Sequence, residues 1–280
     1  MNRYRSASMQ YETLVHEHFR STLPFWEQIY TERTVYSRIY QERARRTIDY
    51  AEGLNLSPRA PILEVGCGPG VISTAMAQKG FCVSAIDTVP EMVDRTMARA
   101  REAGLSSHVS AQVGTIHSLP FADATFELVV VIGVSEWLTS LTRPLEEVFR
   151  VLRPAGHLII SADNYWPLSQ ILDPINNPAL KPIKGCVGKM LRFARLRTLQ
   201  PRFHAYSLSR FDSELSKSGF QKLASETLGF GPFTLGNRRL LNDKTGWELH
   251  LLLQRLADKG VPLLRATGLV YIVLSRKGDP

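Results

Sequence analysis

Short apolar runs alternate with amphipathic stretches along most of the chain, an order that predicts strands connected by helices. The first run ends at Leu63-Glu64-Val65 and passes through a glycine-rich turn into a helix-like stretch. Phe81–Ile86 shifts from alternating to continuous apolar character and ends on Asp87. Phe126–Val134 is apolar nearly throughout, as expected of a central parallel strand covered on both faces. Residues Leu145, Val148, Phe149 and Leu152 recur at i, i+3, i+4, i+7, which predicts an amphipathic helix closed by the Pro154-Ala155-Gly156 turn. His157–Ala162 reads as the next strand. Ser207–Asp212 opens a helix that ends near Ser218-Gly219, and Phe220 starts another strand. In the last strand, Gly268 to Lys277, Leu269, Tyr271, Val273 and Ser275 alternate with Val270, Ile272 and Leu274. Ahead of all this, residues 9–54 form two helical runs broken at Leu23-Pro24, and they carry Tyr11, Phe19, Phe25, Trp26, Tyr30, Tyr36, Tyr40 and Tyr50. The fold class is α/β.

The glycine-rich turn, Gly66-Cys67-Gly68-Pro69-Gly70, lets the backbone adopt unusual φ values and lets a ligand approach without a Cβ in the way. It is not a dinucleotide fingerprint, because Val71 stands where the third glycine of G-x-G-x-x-G belongs. Glu64 adds a carboxylate that repels phosphates and suits a cationic ligand with an amino group. Asp87, at the end of the second strand, can accept both ribose hydroxyls of an adenosine moiety.

These residues resemble the first two motifs of class I S-adenosylmethionine (SAM)-dependent methyltransferases. The resemblance extends over residues 58–165, with weaker echoes at 206–230 and 268–277. Asp87-Thr88-Val89-Pro90-Glu91-Met92 is similar to the family's acid-x-x-Pro-acid-Met junction, which implies that Met92 covers the adenine ring. Gly114-Thr115-Ile116-His117-Ser118-Leu119-Pro120-Phe121 resembles the third-strand motif Gly-Asp-Ala-x-x-Leu-Pro-Phe. Thr115 replaces the Asp that accepts from the adenine amino group and offers a weaker, neutral acceptor, while Ile116 brings a backbone N–H. Glu127 stands for the commoner Asp of the fourth strand, and Trp137 stands where many relatives have the His of a Glu-His pair. The resemblance implies a Rossmann-like seven-stranded sheet with an N-terminal helical cap and two lid insertions. It also implies SAM as cofactor and S-adenosylhomocysteine as product, bound by Glu64, Gly66, Cys67, Gly68, Asp87, Thr88, Met92, Thr115, Ile116 and Gly133.

The expected organisation is a helical cap at 1–57, a SAM-binding core at 58–162, a lid insertion at 163–205 and the rest of the core at 206–280, with a second insertion at 231–267. The second insertion holds a helix from about Trp247 to Lys259. Ligands of open α/β sheets bind beyond the C-terminal ends of the strands. Glu136, Trp137, Asn164, Tyr165 and Trp166 leave the fourth and fifth strands there and are the expected acceptor residues. A cap and two insertions around one site favour a small or lipid-like acceptor. An oxygen, hydroxyl or carboxylate, of a natural product, quinone or lipid-like compound is preferred over the nitrogen of a small amine. A SAM-binding protein without methyl transfer, or one associated with nucleic acid, is the alternative of another class. His16, His18, His117, His204, His250 and Glu136 are candidate bases, and no spacing singles one out.

Charge adds one feature. The formal net charge of the 280 residues is +8. Between Asp173 and Asp212 there is no acid, while Lys181, Lys184, Lys189, Arg192, Arg195, Arg197, Arg202 and Arg210 are basic. Such a run is either a solvated face or a surface for an anionic or carrier-bound substrate, a membrane or nucleic acid. The segment from Cys186 to Leu196 has the pattern of a short basic amphipathic helix suited to a lid or to peripheral membrane contact. No Asn/Asp-Pro-Pro-Tyr/Phe motif of nucleic-acid amino-methylating enzymes occurs. Cys67, Cys82 and Cys186 lack metal-ligand spacing and read as reduced thiols of a cytoplasmic protein. No apolar segment follows the charged start of the chain, and none is long enough to span a bilayer.

Overall fold

A computed structural model describes residues 2–180 and 203–278, with side chains from Tyr11 onward. Three helices come first: α1 (Asn2–Ser21), α2 (Leu23–Gln28) and α3 (Val35–Glu52). The break expected at Leu23-Pro24 falls at Thr22, the residue before Leu23. Pro24 lies in the first turn of α2, where a missing N–H costs nothing. The chain leaves the helical path after Ile29 and re-enters at Thr34, whose side chain accepts from the Ser37 N–H.

The core follows as β1 (Pro61–Val65), α4 (Val71–Gln78), β2 (Cys82–Asp87), α5 (Pro90–Glu102), β3 (Val109–Val113), β4 (Phe126–Val131), α6 (Thr142–Val151) and β5 (Leu152–Asp163). A short 3-10 turn, Ser135–Trp137, joins β4 to α6. After β5 come α7 (Leu168–Ile171), α8 (Leu208–Lys217), β6 (Phe220–Leu228), a small hairpin of β7 (Thr234–Leu235) and β8 (Arg238–Arg239), α9 (Asp243–Asp258), α10 (Pro262–Thr267) and β9 (Val270–Lys277). β5 begins five residues before His157, because its register against β4 shifts between Phe126 and Leu128 and accommodates a turn with Ala155 at φ 59°. α9 begins four residues before Trp247, where the Asn242 side chain caps the Thr245 N–H at 3.0 Å.

The sheet is seven-stranded in the order β3-β2-β1-β4-β5-β9-β6, with β9 antiparallel to both neighbours. Strand alternation divides its core in two. Val129 and Val131 of β4 join Leu63, Val65, Leu145, Val148, Phe211 and Leu215 on one face. Leu128 and Val130 join Ile62, Ile72, Met76, Ala44 and Ala51 on the other. That second face packs α3 and α4 against the strands that carry the glycine turn. Among the described residues, no helix is long and apolar enough to cross a membrane.

The segment after β6 braces α3. Asp243 accepts from the Val35 N–H at 3.2 Å, and Arg38 stacks over Trp247 at 4.9 Å. Arg46, half-buried, bridges Glu42 of its own helix at 3.0 Å, Glu226 of β6 at 2.9 Å and Asp258 of α9 at 2.8 Å. Hydrogen bonds to charged groups contribute roughly 1.5–3 kcal/mol each, with strong non-additivity inside one network. Arg46→Ala is therefore expected to cost about 2–3 kcal/mol in urea unfolding, because Glu226 is left buried beside other acids. A loss below about 0.5 kcal/mol would place the network among surface pairs of no consequence.

Candidate functional site

The strand order reverses between β1 and β4, so the connections leaving their C-terminal ends diverge and open a crevice. The glycine turn lies in it. The Gly66 and Cys67 N–H groups donate to the Ile86 carbonyl at 2.8 and 3.0 Å, which pins the turn to β2. Gly68 has φ 50°, and a Cβ there would meet nothing within 4 Å. Its missing side chain is open cavity. The Asp87 carboxylate accepts from the Gly68 N–H at 2.9 Å and the Val89 N–H at 3.0 Å, so it shapes the turn as well as facing the crevice. An ionised carboxylate has about four lone-pair sites, which leaves acceptor capacity for a ligand.

A cavity of about 490 Å³ fills the crevice. Glu64, Gly66, Cys67, Gly68, Asp87, Thr88, Met92, Thr115, Ile116 and Gly133 all line it, as do Glu136 and Trp137. The Thr115 hydroxyl accepts weakly from the His117 N–H at 3.4 Å within a tight turn. Glu147 of α6 fixes that turn by accepting from the Leu119 N–H at 2.8 Å.

The acceptor residues expected after β5 lie elsewhere. The Asn164 side chain donates to the Ala266 and Gly268 carbonyls at 2.8 Å and accepts from the Trp166 N–H at 3.0 Å, so the turn after β5 consumes it. Tyr165 and Asn164 border a second cavity of about 300 Å³, together with Asp163, Gln170, Phe203 and His204. Trp166 is 41% exposed on the surface. Trp137 separates the two spaces. Its ring meets His18 and Phe19 at 5.1 Å and Phe203 at 5.5 Å.

Helix α1 closes over the crevice and contributes Tyr11, Glu12, His16 and Phe19 to the wall, joined by Trp26 and Tyr30. His16 donates through Nδ1 to the Thr88 carbonyl at 3.0 Å. Arg20 pairs with Glu91 at 3.0 Å, Glu27 with Arg95, and His117 lies 3.8 Å from Glu12. His250 is remote from both cavities; it is buried, stacks on Trp247 at 4.7 Å and accepts from the Phe230 N–H. The basic residues from Lys181 to Arg202, the Cys186–Leu196 helix and Cys186 itself lie outside the described residues. Among those described, no group of three His, Cys, Asp or Glu side chains could hold a metal ion.

The electrostatics are lopsided. Burial raises the Glu64 carboxyl to about 8, against a hydrogen bond donated by the Ser73 hydroxyl and with a further upward push from Asp87. Burial raises Asp87 too, although backbone N–H groups of Val89, Gly68 and Thr88 hold it back. Glu136 is raised by burial and partly restored by Arg43, and its Oε2 has no hydrogen-bond partner. Asp163 is pushed well above the carboxylate range by burial and then by Glu136. Cys67 is raised by burial and is no nucleophile. Arg43, on the buried face of α3, is the residue that motif reasoning missed. Its one signal was a basic position among Ile39, Tyr40, Ala44 and Thr47 on the apolar side of the helix.

Residues 63–160 match the protein family described as "Methyltransferase domain". Over those residues the chain carries a SAM-dependent methyltransferase domain of class I. It is 34% identical over 121 residues to the malonyl-[acyl-carrier protein] O-methyltransferase of Erwinia billingiae, across 42% of this chain and 46% of that one. It is 29% identical over 210 residues to the norajmaline N-methyltransferase of Rauvolfia serpentina, across 71% and 69%. The match thus spans less than half the length of the acyl-carrier-protein relatives. Among solved structures, the magnesium protoporphyrin IX methyltransferase of Synechocystis superposes with a TM-score of 0.63 at 15% identity, across 95% of this chain and 100% of that one.

Glu64 gives the methyltransferase domain a pH signature. Its folded-state value, about 8, lies above the ordinary 4.5, so the unliganded fold binds a proton there that the unfolded chain releases. This contribution is fully present below pH 4.5 and declines as pH rises through about 8. A cation entering beside Glu64 favours the carboxylate and expels the proton. S-adenosylhomocysteine is therefore expected to bind tighter as pH rises from 6 to 8, with proton uptake by the buffer visible in calorimetry. Glu64→Gln should flatten both trends, and unchanged slopes in that variant would assign the titration to another group.

Proposed function

We propose that the protein transfers a methyl group from SAM to a small-molecule acceptor at a hydroxyl or amine. The observation that carries the cofactor assignment is the sequence of surfaces along one cavity wall. Met92 and Ile116 offer an apolar slot for the adenine, with Thr115 beside it. Asp87 comes next with lone pairs for the ribose hydroxyls. The Gly66–Gly68 turn and Glu64 then offer open space and negative charge for an ammonium group. NAD fits badly, because its pyrophosphate would meet Glu64 and Asp87 rather than an array of N–H donors.

When bound, SAM supplies an electrophilic methyl group on a sulfonium. The chain's task is to align the acceptor and keep water out, effects that can contribute roughly 7–11 kcal/mol in ideal cases. Phe19, Trp26, Tyr30 and Trp137 wall the cavity with aromatic faces, which suit a cationic centre as well as an apolar acceptor. Glu136 is the candidate base. It is buried, it lines the same cavity, and burial lifts its proton affinity while one of its oxygens stays free. A hydroxyl or amine can hand a proton to that oxygen. A carboxylate acceptor has no proton to hand over and gains nothing from a base, so the presence of Glu136 favours a hydroxyl or an amine. The names of the two relatives cover oxygen and nitrogen as accepting atoms, an O-methyltransferase and an N-methyltransferase, and do not themselves favour a hydroxyl.

S-adenosylhomocysteine is expected to bind in the micromolar range or tighter by calorimetry; binding of NAD in its place would sink the assignment. Asp87→Ala should cost about 2–4 kcal/mol of that affinity, from the lost ribose bonds and a loosened turn. Gly68→Val should abolish binding by filling the cavity, with a fold penalty near 1–2 kcal/mol for the left-handed backbone.

Glu136→Gln separates the acceptor from the cofactor. Turnover should fall by about 10²–10⁴-fold, the usual worth of a positioned base, while S-adenosylhomocysteine affinity changes little. An equal loss in both would make Glu136 part of the cofactor site instead.

A further inference from the structure

The second cavity, of about 300 Å³, takes no part in the cofactor site. The wall between it and the main cavity is the 3-10 turn Ser135–Trp137. Glu136 lines the main cavity, and its carbonyl accepts at 2.7 Å from the N–H of His204, a residue that lines the second. Trp137 meets Phe203 edge to face at 5.5 Å across the same wall. Phe203 is 51% exposed, so its ring can swing outward and leave a flat apolar group in its place against Trp137. The main cavity, about 490 Å³, must hold the cofactor and the reacting end of the acceptor together. Sites for a single drug-sized ligand already run to roughly 300–1,000 Å³. A sizeable acceptor therefore has to extend elsewhere, and the second cavity adjoins the candidate base.

The lining of the second cavity says which chemistry it takes. His204 carries an Nδ1 that is buried with no hydrogen-bond partner, and Asp163 and Gln170 add a carboxyl and an amide to the wall. The Asn164 amide is spent on its own turn. No Lys or Arg is among the described residues that line the space, so an anion has no counter-charge there. A cation fares little better. Burial holds the Asp163 carboxyl well above the ordinary carboxylate range, and Glu136 adds to the rise. A space that keeps its own acid neutral imposes the same desolvation cost on a guest ion. A hydroxyl or a primary amide gives and takes hydrogen bonds without that cost, and one entering beside His204 supplies the missing partner. We infer that the second cavity holds the far end of the acceptor, a neutral hydroxyl or amide that a flat apolar linker joins to the atom methylated beside Glu136. This rests on the methyl-transfer reading above.

Saturation-transfer NMR titrations of the protein loaded with S-adenosylhomocysteine test this with para-hydroxybenzamide, phenol, para-hydroxybenzoate and para-hydroxybenzylamine. The four probes share a ring and a hydroxyl and differ at the far end, which is neutral and polar, absent, anionic or cationic. The amide is expected to bind about 10-fold tighter than phenol, the scale of one or two hydrogen bonds, and tighter than either charged probe. His204→Phe keeps a ring and the backbone N–H to Glu136. It should bring the amide to within about threefold of phenol by removing one of those bonds, with the affinities for phenol and S-adenosylhomocysteine unchanged. An amide that binds the parent no better than phenol overturns the inference whether or not the variant folds. So does a benzoate or benzylamine that binds tighter than the amide. An amide preference that survives His204→Phe places the far end outside the second cavity and overturns it as well. A protein that fails to bind S-adenosylhomocysteine, seen before any probe is added, refutes the cofactor reading itself, and the inference falls with it.

Discussion

Three buried or nearly buried carboxyls, Glu64, Asp87 and Glu136, line one crevice and a fourth, Asp163, borders the neighbouring cavity, with a single buried guanidinium among the described residues, Arg43, to answer them. That imbalance governs the rest of the molecule. Taking an ion out of water costs several kcal/mol even after relaxation, and here every one of these acids is raised above its ordinary value. The fold carries the cost because its sheet has two full cores, with β4 buried between them. A ligand with two positive centres and one negative centre matches the residual charge of the site. Recognition and instability therefore have the same origin: the groups that oppose folding in the empty cavity are those that a cationic ligand neutralises.

Holding Arg43 in such a place requires a rigid α3, and much of the chain beyond β6 supplies it. Arg46 ties α3 to β6 and α9, Asp243 receives the first N–H of the helix, and Arg38 rests on Trp247. Asp173 in turn gathers the Thr234 hydroxyl and the N–H groups of Ile175, Gly236 and Asn237, joining the segment after β5 to the small hairpin. None of these residues reaches the main cavity. The segment 231–267, expected from the sequence to enclose the site, acts among the described residues as a brace for the helix that carries the buried cation.

The residues expected from the sequence to hold SAM line one cavity because their placement follows local rules. Glycines with positive φ, acids at strand ends and an apolar residue one turn into the next helix all lie at short, fixed spacings. The acceptor side obeys no such rule. Asn164 was reasonable as a polar residue leaving β5, yet its amide closes a turn against the chain before β9, more than a hundred residues away. Arg43 was hidden for the opposite reason. A basic residue within an aromatic helical cap looks like surface until α3 is laid against β4. The helix starts at Val35 and Asp243 escaped for a smaller cause: caps by Thr34 and Asn242 precede the first apolar position on which periodicity depends.

The charge pattern also couples two groups of the site. In the empty cavity Arg43 partly restores Glu136, keeping it closer to the ordinary carboxylate range than burial alone would allow. Once an anion occupies the guanidinium, that help weakens and the proton affinity of Glu136 rises. An anion at the guanidinium would therefore change how readily Glu136 takes a proton from an acceptor. The same step leaves Glu136 and Asp163 without their counter-cation, which disfavours a negatively charged acceptor and favours one that carries or gives up a proton. Charge at Arg43 and charge at Glu136 are thus linked across the few side chains between Gly133 and Trp137, so whatever binds at one is felt at the other.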